Sequence, residues 1–180
     1  PRLGESDGHH CAGRLAGDDR EEIVSLAQQE ADTFHLMLVA RGRFSHGFTR
    51  DELLPFHIAA TRIPRARFAA MLADADLRTA MNRAVGRALD ELPPERGAEE
   101  AASTLDASTI EALAWQRFAR LARRAFRRGH VGLGAIVGYV GLRRMELANL
   151  ITVSEGLRLG VAAESLRAWM IPRAELEGTH

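Results

Sequence analysis

The sequence contains a carboxylate and an imidazole at a spacing that would suit proton transfer. Asp32 and His35 are three residues apart, and side chains at that separation lie on the same face of an α-helix. General acid–base catalysis uses such groups. A second pair at the same spacing, Glu146 and Asn149, has an amide in place of the imidazole, and an amide cannot transfer protons. We therefore predict a polar clamp rather than a catalytic site, in which each pair satisfies backbone groups at a helix–helix crossing or its own partner.

Three histidines recur every eleven residues, a spacing that raises the question of metal binding: His35, His46 and His57. Two glycines and a proline lie between the first and the last of them, so no single helix carries all three. Zinc ligands must also converge to about 2.0–2.1 Å from the ion, and this spacing does not enforce convergence. A denser cluster, His9-His10-Cys11, has no fourth ligand nearby. We predict neither a metal site nor a cofactor.

Other catalytic and binding classes lack their sequence signals. The chain has no lysine and hence no Gly-Lys-Ser/Thr phosphate-binding loop, and it has no Gly-x-Ser-x-Gly nucleophile turn. Acidic and basic residues balance at 24 each, so no overall field favours nucleic acid or anionic lipid. No apolar run approaches the ~18–20 residues that span a bilayer. We expect a folded, soluble chain without a catalytic site of its own.

Hydrophobic spacing and capping residues predict an all-α fold. Capping boxes are predicted at Asp18–Glu21, Thr49–Glu52 and Ser108–Glu111. The predicted helices cover about 19–41, a short stretch from Thr49 to Pro55, 65–72, 77–92, 108–128, 135–155 and 163–170. Glycines and prolines are expected to end them, at Gly42, Pro93-Pro94, Gly129, Gly156 and Pro172. Strand signals are thin, because no β-branched alternation and no Asn-Gly turn occurs.

An internal repeat relates the two halves of the chain. Asp32, His35, Leu36 and Gly42 match Glu146, Asn149, Leu150 and Gly156 at a constant offset of 114. Further on, Ile63-Pro64-Arg65-Ala66 recurs as Ile171-Pro172-Arg173-Ala174 at an offset of 108. Each copy is a long helix, a glycine stop, a short helix and a Pro-Arg corner. We therefore predict a loose N-terminal segment over 1–17, one helical wedge over 18–103 and a second over 104–180.

These motifs resemble a known family. The stretch from Glu30 to Gly42 resembles the D-x-x-N-L…R…G unit of the C subunit of V/A-type rotary ATPases, called the d subunit in eukaryotes. Gly138-Tyr139-Val140, Glu146-x-x-Asn149-Leu150 and the pair Gly156/Gly160 resemble the C-terminal G-Y…E-x-x-N-L…G segment of that family. The similarity runs from about Ile23 to Met170.

The resemblance implies both a fold and a role. Members of the family have three pseudo-symmetric helical wedges that form a funnel. Two wedges are visible here, so an N-terminal wedge is expected to be missing. The implied function is that of a non-catalytic central-stalk subunit in proton or sodium transport, with the stalk subunits and the membrane rotor ring as partners. The implied location is peripheral, on the cytoplasmic side of the membrane.

An arginine-rich helix face supports an alternative function. Five arginines share one stripe of the helix predicted after residue 108: Arg117, Arg120, Arg124, Arg127 and Arg128. The stripe is expected opposite the apolar face. It is either a solvated face or a docking stripe for an acidic partner or lipid head groups; nucleic acid is a third interpretation, although interleaved aromatics are absent. The alternative function is therefore a free-standing helical adaptor that binds an acidic partner.

Overall fold

The fold is all-α, as predicted. The computed structural model describes residues 17–93, 105–128 and 132–171, and within these ranges it contains helices and turns but no β-strand. The side chains of Asp18 and Ala168 are not described. Several predicted features lie outside the described residues: the loose segment 1–16, the second residue of the Pro93-Pro94 stop, and the stops at Gly129 and Pro172.

Seven α-helices occur in the described ranges. They are α1 (Asp18–Met37), α2 (Arg50–Leu53), α3 (Arg65–Ala73), α4 (Leu77–Asn82), α5 (Ala107–Arg128), α6 (Leu133–Arg158) and α7 (Ala163–Trp169). A π-helical segment, Leu38–Ser45, continues α1, and a 3-10 turn, Leu54–Phe56, continues α2.

The chain forms two compact units. Of the described residues, those within Ala27–Arg117 form one unit, and those up to Leu26 together with those from Phe118 onwards form the other. The hydrophobic core of the first unit includes Leu36, Val39, Ile63, Phe68, Met71, Leu72, Met81, Leu89 and Ile110, all essentially inaccessible to solvent. The predicted wedges, 18–103 and 104–180, follow the sequence repeat, and their equivalence in three dimensions stays a prediction.

Helix capping agrees with the sequence at one helix start and differs at another. At α2, the Thr49 hydroxyl accepts a hydrogen bond from the Glu52 amide while the Glu52 carboxylate accepts one from the Thr49 amide at 2.8 Å, which is the predicted capping box. At α5 the predicted box starting at Ser108 is wrong. The Asp106 carboxylate accepts from the Thr109 amide at 2.8 Å, so α5 begins earlier, because Asp is as good a cap as Ser.

The glycine stops predicted at Gly42 and Gly156 are wrong, because both residues are buried inside helical segments. A Cβ on Gly42 would lie 3.1 Å from the Leu53 side chain, and a Cβ on Gly156 would overlap Leu166. Each glycine therefore makes room for a leucine of the next short helix. The helical segments end later, ahead of two glycines with left-handed φ, Gly47 (73°) and Gly160 (70°).

The helix predicted over 77–92 is shorter than expected. Helix α4 ends at Asn82, and the following residues form turns around Gly86, whose φ is 74°. The Gly86 amide donates to the Leu89 carbonyl at 2.8 Å. Ala88 and Leu89 are nevertheless fully buried, so the apolar spacing correctly marked buried positions but not the backbone conformation between them.

Helix α6 packs through glycines. Its buried residues are Gly134, Gly138, Gly141, Met145 and Gly156. A Cβ on Gly138 would lie 2.5 Å from the backbone nitrogen of Phe126 and 2.6 Å from the carbonyl oxygen of Ala122, so the backbones of α5 and α6 are in direct contact there. The start of α6 is capped from α1: the Asp19 carboxylate accepts from the amides of Leu133 at 2.9 Å and Gly134 at 3.0 Å.

This packing predicts different outcomes for two glycine substitutions: Gly138→Ala should destabilise the protein, and Gly141→Ala should be close to neutral. Gly138→Ala places a methyl group against backbone, so it should lower the free energy of unfolding by about 1–3 kcal/mol. The atoms nearest to a Cβ at Gly141 belong to side chains, those of Ala122 at 3.2 Å and Phe118 at 3.3 Å. Alanine favours a helix over glycine by about 1 kcal/mol. In Gly141→Ala this gain should offset the close contact of the new methyl group with its neighbours. Urea unfolding of the two variants measures the difference, and equal effects would show that the backbone contact at Gly138 is absent.

Candidate functional site

The candidate site is built around Asp32, a fully buried carboxylate on α1. Its Oδ1 accepts from the Arg62 amide at 2.9 Å and from the Thr61 hydroxyl, while its Oδ2 accepts from the Arg62 guanidinium at 3.2 Å. A buried carboxylate is strongly destabilising without such partners. The loop between α2 and α3 therefore supplies a guanidinium, a hydroxyl and a backbone amide to the Asp32 carboxylate.

His35, one turn along α1 and equally buried, binds the same loop. Its Nε2 accepts from the Ile58 amide at 2.9 Å, so this nitrogen carries no proton. Its Nδ1 lies 3.3 Å from the Thr61 hydroxyl oxygen. Because the Thr61 proton is directed to Asp32, we assign the hydrogen of the neutral imidazole to Nδ1.

The ring of His35 is also enclosed by aromatic side chains. It stacks on His57 with a centroid distance of 4.8 Å and an interplanar angle of 6°, and it contacts the Phe68 ring at 4.8 Å. Burial, with a smaller contribution from the charge of His57, lowers the pKa of His35 from 6.5 to about 4. The imidazole is therefore neutral at physiological pH and holds the loop as a hydrogen-bond acceptor.

A buried glutamine extends the cluster. The Gln29 amide donates to the Ala88 carbonyl at 3.1 Å, and its oxygen accepts from Arg62 at 3.0 Å and from Arg117 Nε at 3.1 Å. Arg117 also forms an ion pair with Asp90. Burial lowers the pKa of Arg117, and the Asp32 carboxylate opposes that shift.

We call Gln29, Asp32, His35, Thr61 and Arg62 the polar clamp. It joins α1 to the loop before α3 and to the turns after α4. Among the described residues, no buried side-chain nitrogen or oxygen is without a hydrogen-bond partner. Asp32 and His35 do not contact each other as an acid–base pair but share Thr61, and both histidine nitrogens are engaged. The arrangement positions backbone and offers no free base or nucleophile.

The second predicted pair behaves differently from the first. Asn149 Oδ1 accepts from the Ile171 amide at 2.9 Å, and Asn149 Nδ2 donates to the Ile171 carbonyl at 3.3 Å. Asn149 therefore holds the backbone at the start of the repeated Ile-Pro-Arg-Ala motif, which follows α7 in the sequence. Glu146 is half-exposed and pairs with Arg143 on its own helix, so it does not belong to a clamp with Asn149.

The remaining members of the repeat motif are only partly alike. Leu36 is fully buried, whereas Leu150 is 64% exposed. Gly42 and Gly156 share the same environment, each packed against a leucine of the following short helix. The carbonyl of each glycine also accepts a hydrogen bond from a later backbone amide, that of Phe48 at 3.0 Å and that of Val161 at 2.9 Å.

The arginine stripe is largely engaged within the protein. Besides Arg117, Arg124 binds the buried Glu22 carboxylate at 2.9 Å, and Arg128 lies 3.7 Å from the same carboxylate. The stripe therefore flanks the buried face of α5 instead of lying opposite it. Arg120 and Arg127 are exposed, and docking through them stays a prediction.

Neither a metal centre nor a membrane span is found in the part of the chain that the structure describes. In those residues, no group of three His, Cys, Asp or Glu side chains could hold one metal ion. His46 is exposed and does not belong to the stacked pair of His35 and His57. His9, His10 and Cys11 lie outside the described residues. None of the described helices has the length and apolar character required to cross a bilayer.

Sequence reasoning missed three members of the polar clamp. Gln29 is three residues before Asp32, so it lies on the same face of α1, and that spacing was the available signal. Thr61 and Arg62 immediately precede the repeated Ile63-Pro64 corner. Nothing local in the sequence indicates that this corner folds back onto α1.

Comparison with protein families gives a match over most of the chain. A family model described as "ATP synthase (C/AC39) subunit" matches residues 7–168 of the 180. No curated protein and no solved structure matches the chain.

The clamp predicts a pH dependence of stability that depends on His35. In the unfolded chain the His35 imidazole binds a proton as the pH falls below 6.5. In the folded chain the same imidazole binds a proton only near pH 4. Stability is therefore full above pH 6.5 and declines through that window, by at most about 1.4 kcal/mol per pH unit for one proton. In His35→Asn, the free energy of unfolding measured in urea should fall less steeply over this window. His46→Asn, the same change at an exposed histidine, should keep the wild-type slope, and an unchanged slope in His35→Asn would contradict the assignment.

The second pair predicts additive effects. Asn149→Leu leaves the Ile171 amide and carbonyl without their partner and should lower the free energy of unfolding by about 1–3 kcal/mol. Glu146→Ala removes an exposed ion pair on one helix and should change it by about 0.5 kcal/mol or less. Urea unfolding of the single variants and the double variant should give a simple sum. A coupling energy above about 0.5 kcal/mol would show that the two side chains act as one unit.

Proposed function

Because the chain belongs to the ATP synthase (C/AC39) subunit family, we propose that it is the non-catalytic subunit that couples the central stalk of a V/A-type rotary ATPase to the membrane rotor ring. The observation that carries this proposal is the family match over residues 7–168. In this role the subunit takes part in proton or sodium transport without binding ATP itself. It is held at the cytoplasmic side of the membrane through its partners.

A coupling subunit transmits torque, so its elements must not yield under load. The polar clamp supports this requirement, because at least seven hydrogen bonds fix α1 to the loop before α3 and to the turns after α4 within one unit. The other unit offers the backbone contact between α5 and α6 at Gly138. Closely packed interiors of this kind have low compressibility and transmit strain.

A non-catalytic role agrees with the chemistry of the clamp. The imidazole, carboxylate and hydroxyl groups of the clamp all form hydrogen bonds with backbone or side chains of the same unit. The adaptor alternative depended on a free arginine stripe, and three of its five arginines have acidic or amide partners within the protein. The coupling role therefore has the stronger support.

The proposal is tested by removing the gene from the source organism and measuring both halves of the ATPase reaction. Without the subunit, the catalytic head should still hydrolyse ATP, while ATP-driven proton or sodium uptake by inverted membrane vesicles should be lost. The intact gene should restore uptake. A copy with Gly138→Leu, which cannot form the α5–α6 contact, should restore it poorly, and Ala148→Leu, which adds the same side chain at an exposed position of α6, should restore it fully. Normal ion uptake in the deletion strain would refute the coupling role.

A further inference from the structure

The loop before α3 is attached to α1 at two points of different chemistry. At the first point the Ile58 amide donates to His35 Nε2 at 2.9 Å. At the second point the Arg62 amide donates to Asp32 Oδ1 at 2.9 Å. Between them the chain lies near the surface, since the Ile58 side chain is 40% exposed and Ala59 is exposed as well. Little buried apolar area therefore reinforces the hydrogen bond at the first point.

The bond between Ile58 and His35 requires a neutral imidazole. A ring nitrogen without a hydrogen accepts one hydrogen bond, whereas an imidazolium carries hydrogens on both nitrogens and accepts none. A proton on His35 Nε2 would face the hydrogen of the Ile58 amide, and two donors cannot bond each other. One proton on one buried ring is thus sufficient to break the first attachment.

The surroundings of the His35 ring favour its neutral form while the loop is closed. The charged or titratable groups that face it are Asp32 on its own helix and His57 and Arg62 on the loop; α3 contributes Phe68, which carries no charge. The Asp32 carboxylate is already paired with Arg62. Burial, with a smaller contribution from His57, lowers the pKa of His35 to about 4.

We propose that His35 is a proton-sensitive latch: protonation of its ring releases residues 58–60 from α1, while Arg62 stays bound to Asp32 and the rest of the unit stays folded. Release lets water reach the ring, so its pKa returns to about 6.5, the value of an exposed imidazole. Between that pH and about pH 4, only the open form holds the proton, and each pH unit favours opening about tenfold. The latch is formed by contacts within one unit and does not require the coupling role.

Amide hydrogen exchange of the full chain, followed by NMR between pH 7 and 5, tests the latch. Dividing each measured rate by the rate of an unstructured chain at the same pH gives the fraction of time that an amide is open. The open fraction of Ile58 should rise about tenfold per pH unit below pH 6.5. At every pH it should exceed that of Arg62, at the second attachment, and that of Leu72, inside α3, by about tenfold or more.

Three variants identify the group that binds the proton. His35→Asn supplies an amide oxygen that accepts at any pH, as Asn149 Oδ1 accepts from the Ile171 amide at 2.9 Å. In this variant the open fraction of Ile58 should change by less than about twofold per pH unit. His57→Asn removes the neighbouring ring and His46→Asn changes an exposed histidine, and both should keep the wild-type slope.

Three results would overturn the proposal. In the wild-type chain, an open fraction of Ile58 that does not change with pH would show that no proton acts on this attachment. Equal open fractions of Ile58, Arg62 and Leu72 would show that the unit unfolds as a whole and that the loop does not open separately. A slope that is lost in His57→Asn and kept in His35→Asn would assign the proton to His57.

Discussion

The free-energy cost of burying the Asp32 carboxylate determines how the loop before α3 folds in the unit formed by residues 27–117. A carboxylate with no solvent access is tolerable only when cationic and hydrogen-bonding partners saturate it. The partners come from one short segment, Thr61 and Arg62, whose backbone must therefore fold back onto α1. The same fold brings Ile58 to His35 and places Ile63 in the core. Truncating any one partner would leave a charge or an amide unsatisfied, which makes the loop part of the core and not a flexible connection.

In the other unit, the main packing feature is the close approach of two long helices, α5 and α6. Gly138 allows the backbones of α5 and α6 to touch, and this closeness takes the place of interdigitated large side chains. The consequence is that α6 has few large residues on its inner face and many on its outer face. Large apolar side chains of α6, such as Leu150 and Leu157, are therefore left exposed to solvent.

The polar clamp also shows why residue type alone is a weak guide to chemistry. Asp32, Thr61 and His35 are groups that hydrolases use, and they are joined by hydrogen bonds. The direction of those bonds decides their role. The backbone amide of Ile58 occupies the nitrogen that a catalytic histidine would use as a base, and the low pKa of about 4 keeps the ring neutral. The replacement of this histidine by Asn149 in the other copy is consistent with an acceptor of backbone hydrogen bonds.

The sequence by itself determined the all-α class, the long helices α1, α5 and α6, the cap at Thr49 and the motif that identifies the family. These features depend on interactions between residues three to seven apart, which the order of residues specifies directly. It also marked Asp32, His35 and Asn149 as polar groups that need partners. Only the tertiary structure decided which partners they find, because Arg62 lies 30 residues from Asp32 and Ile171 lies 22 from Asn149. For the same reason Gly42 and Gly156 could not be recognised as packing sites rather than stops. A glycine is compatible with both roles, and the leucine that packs against it comes from the next helix.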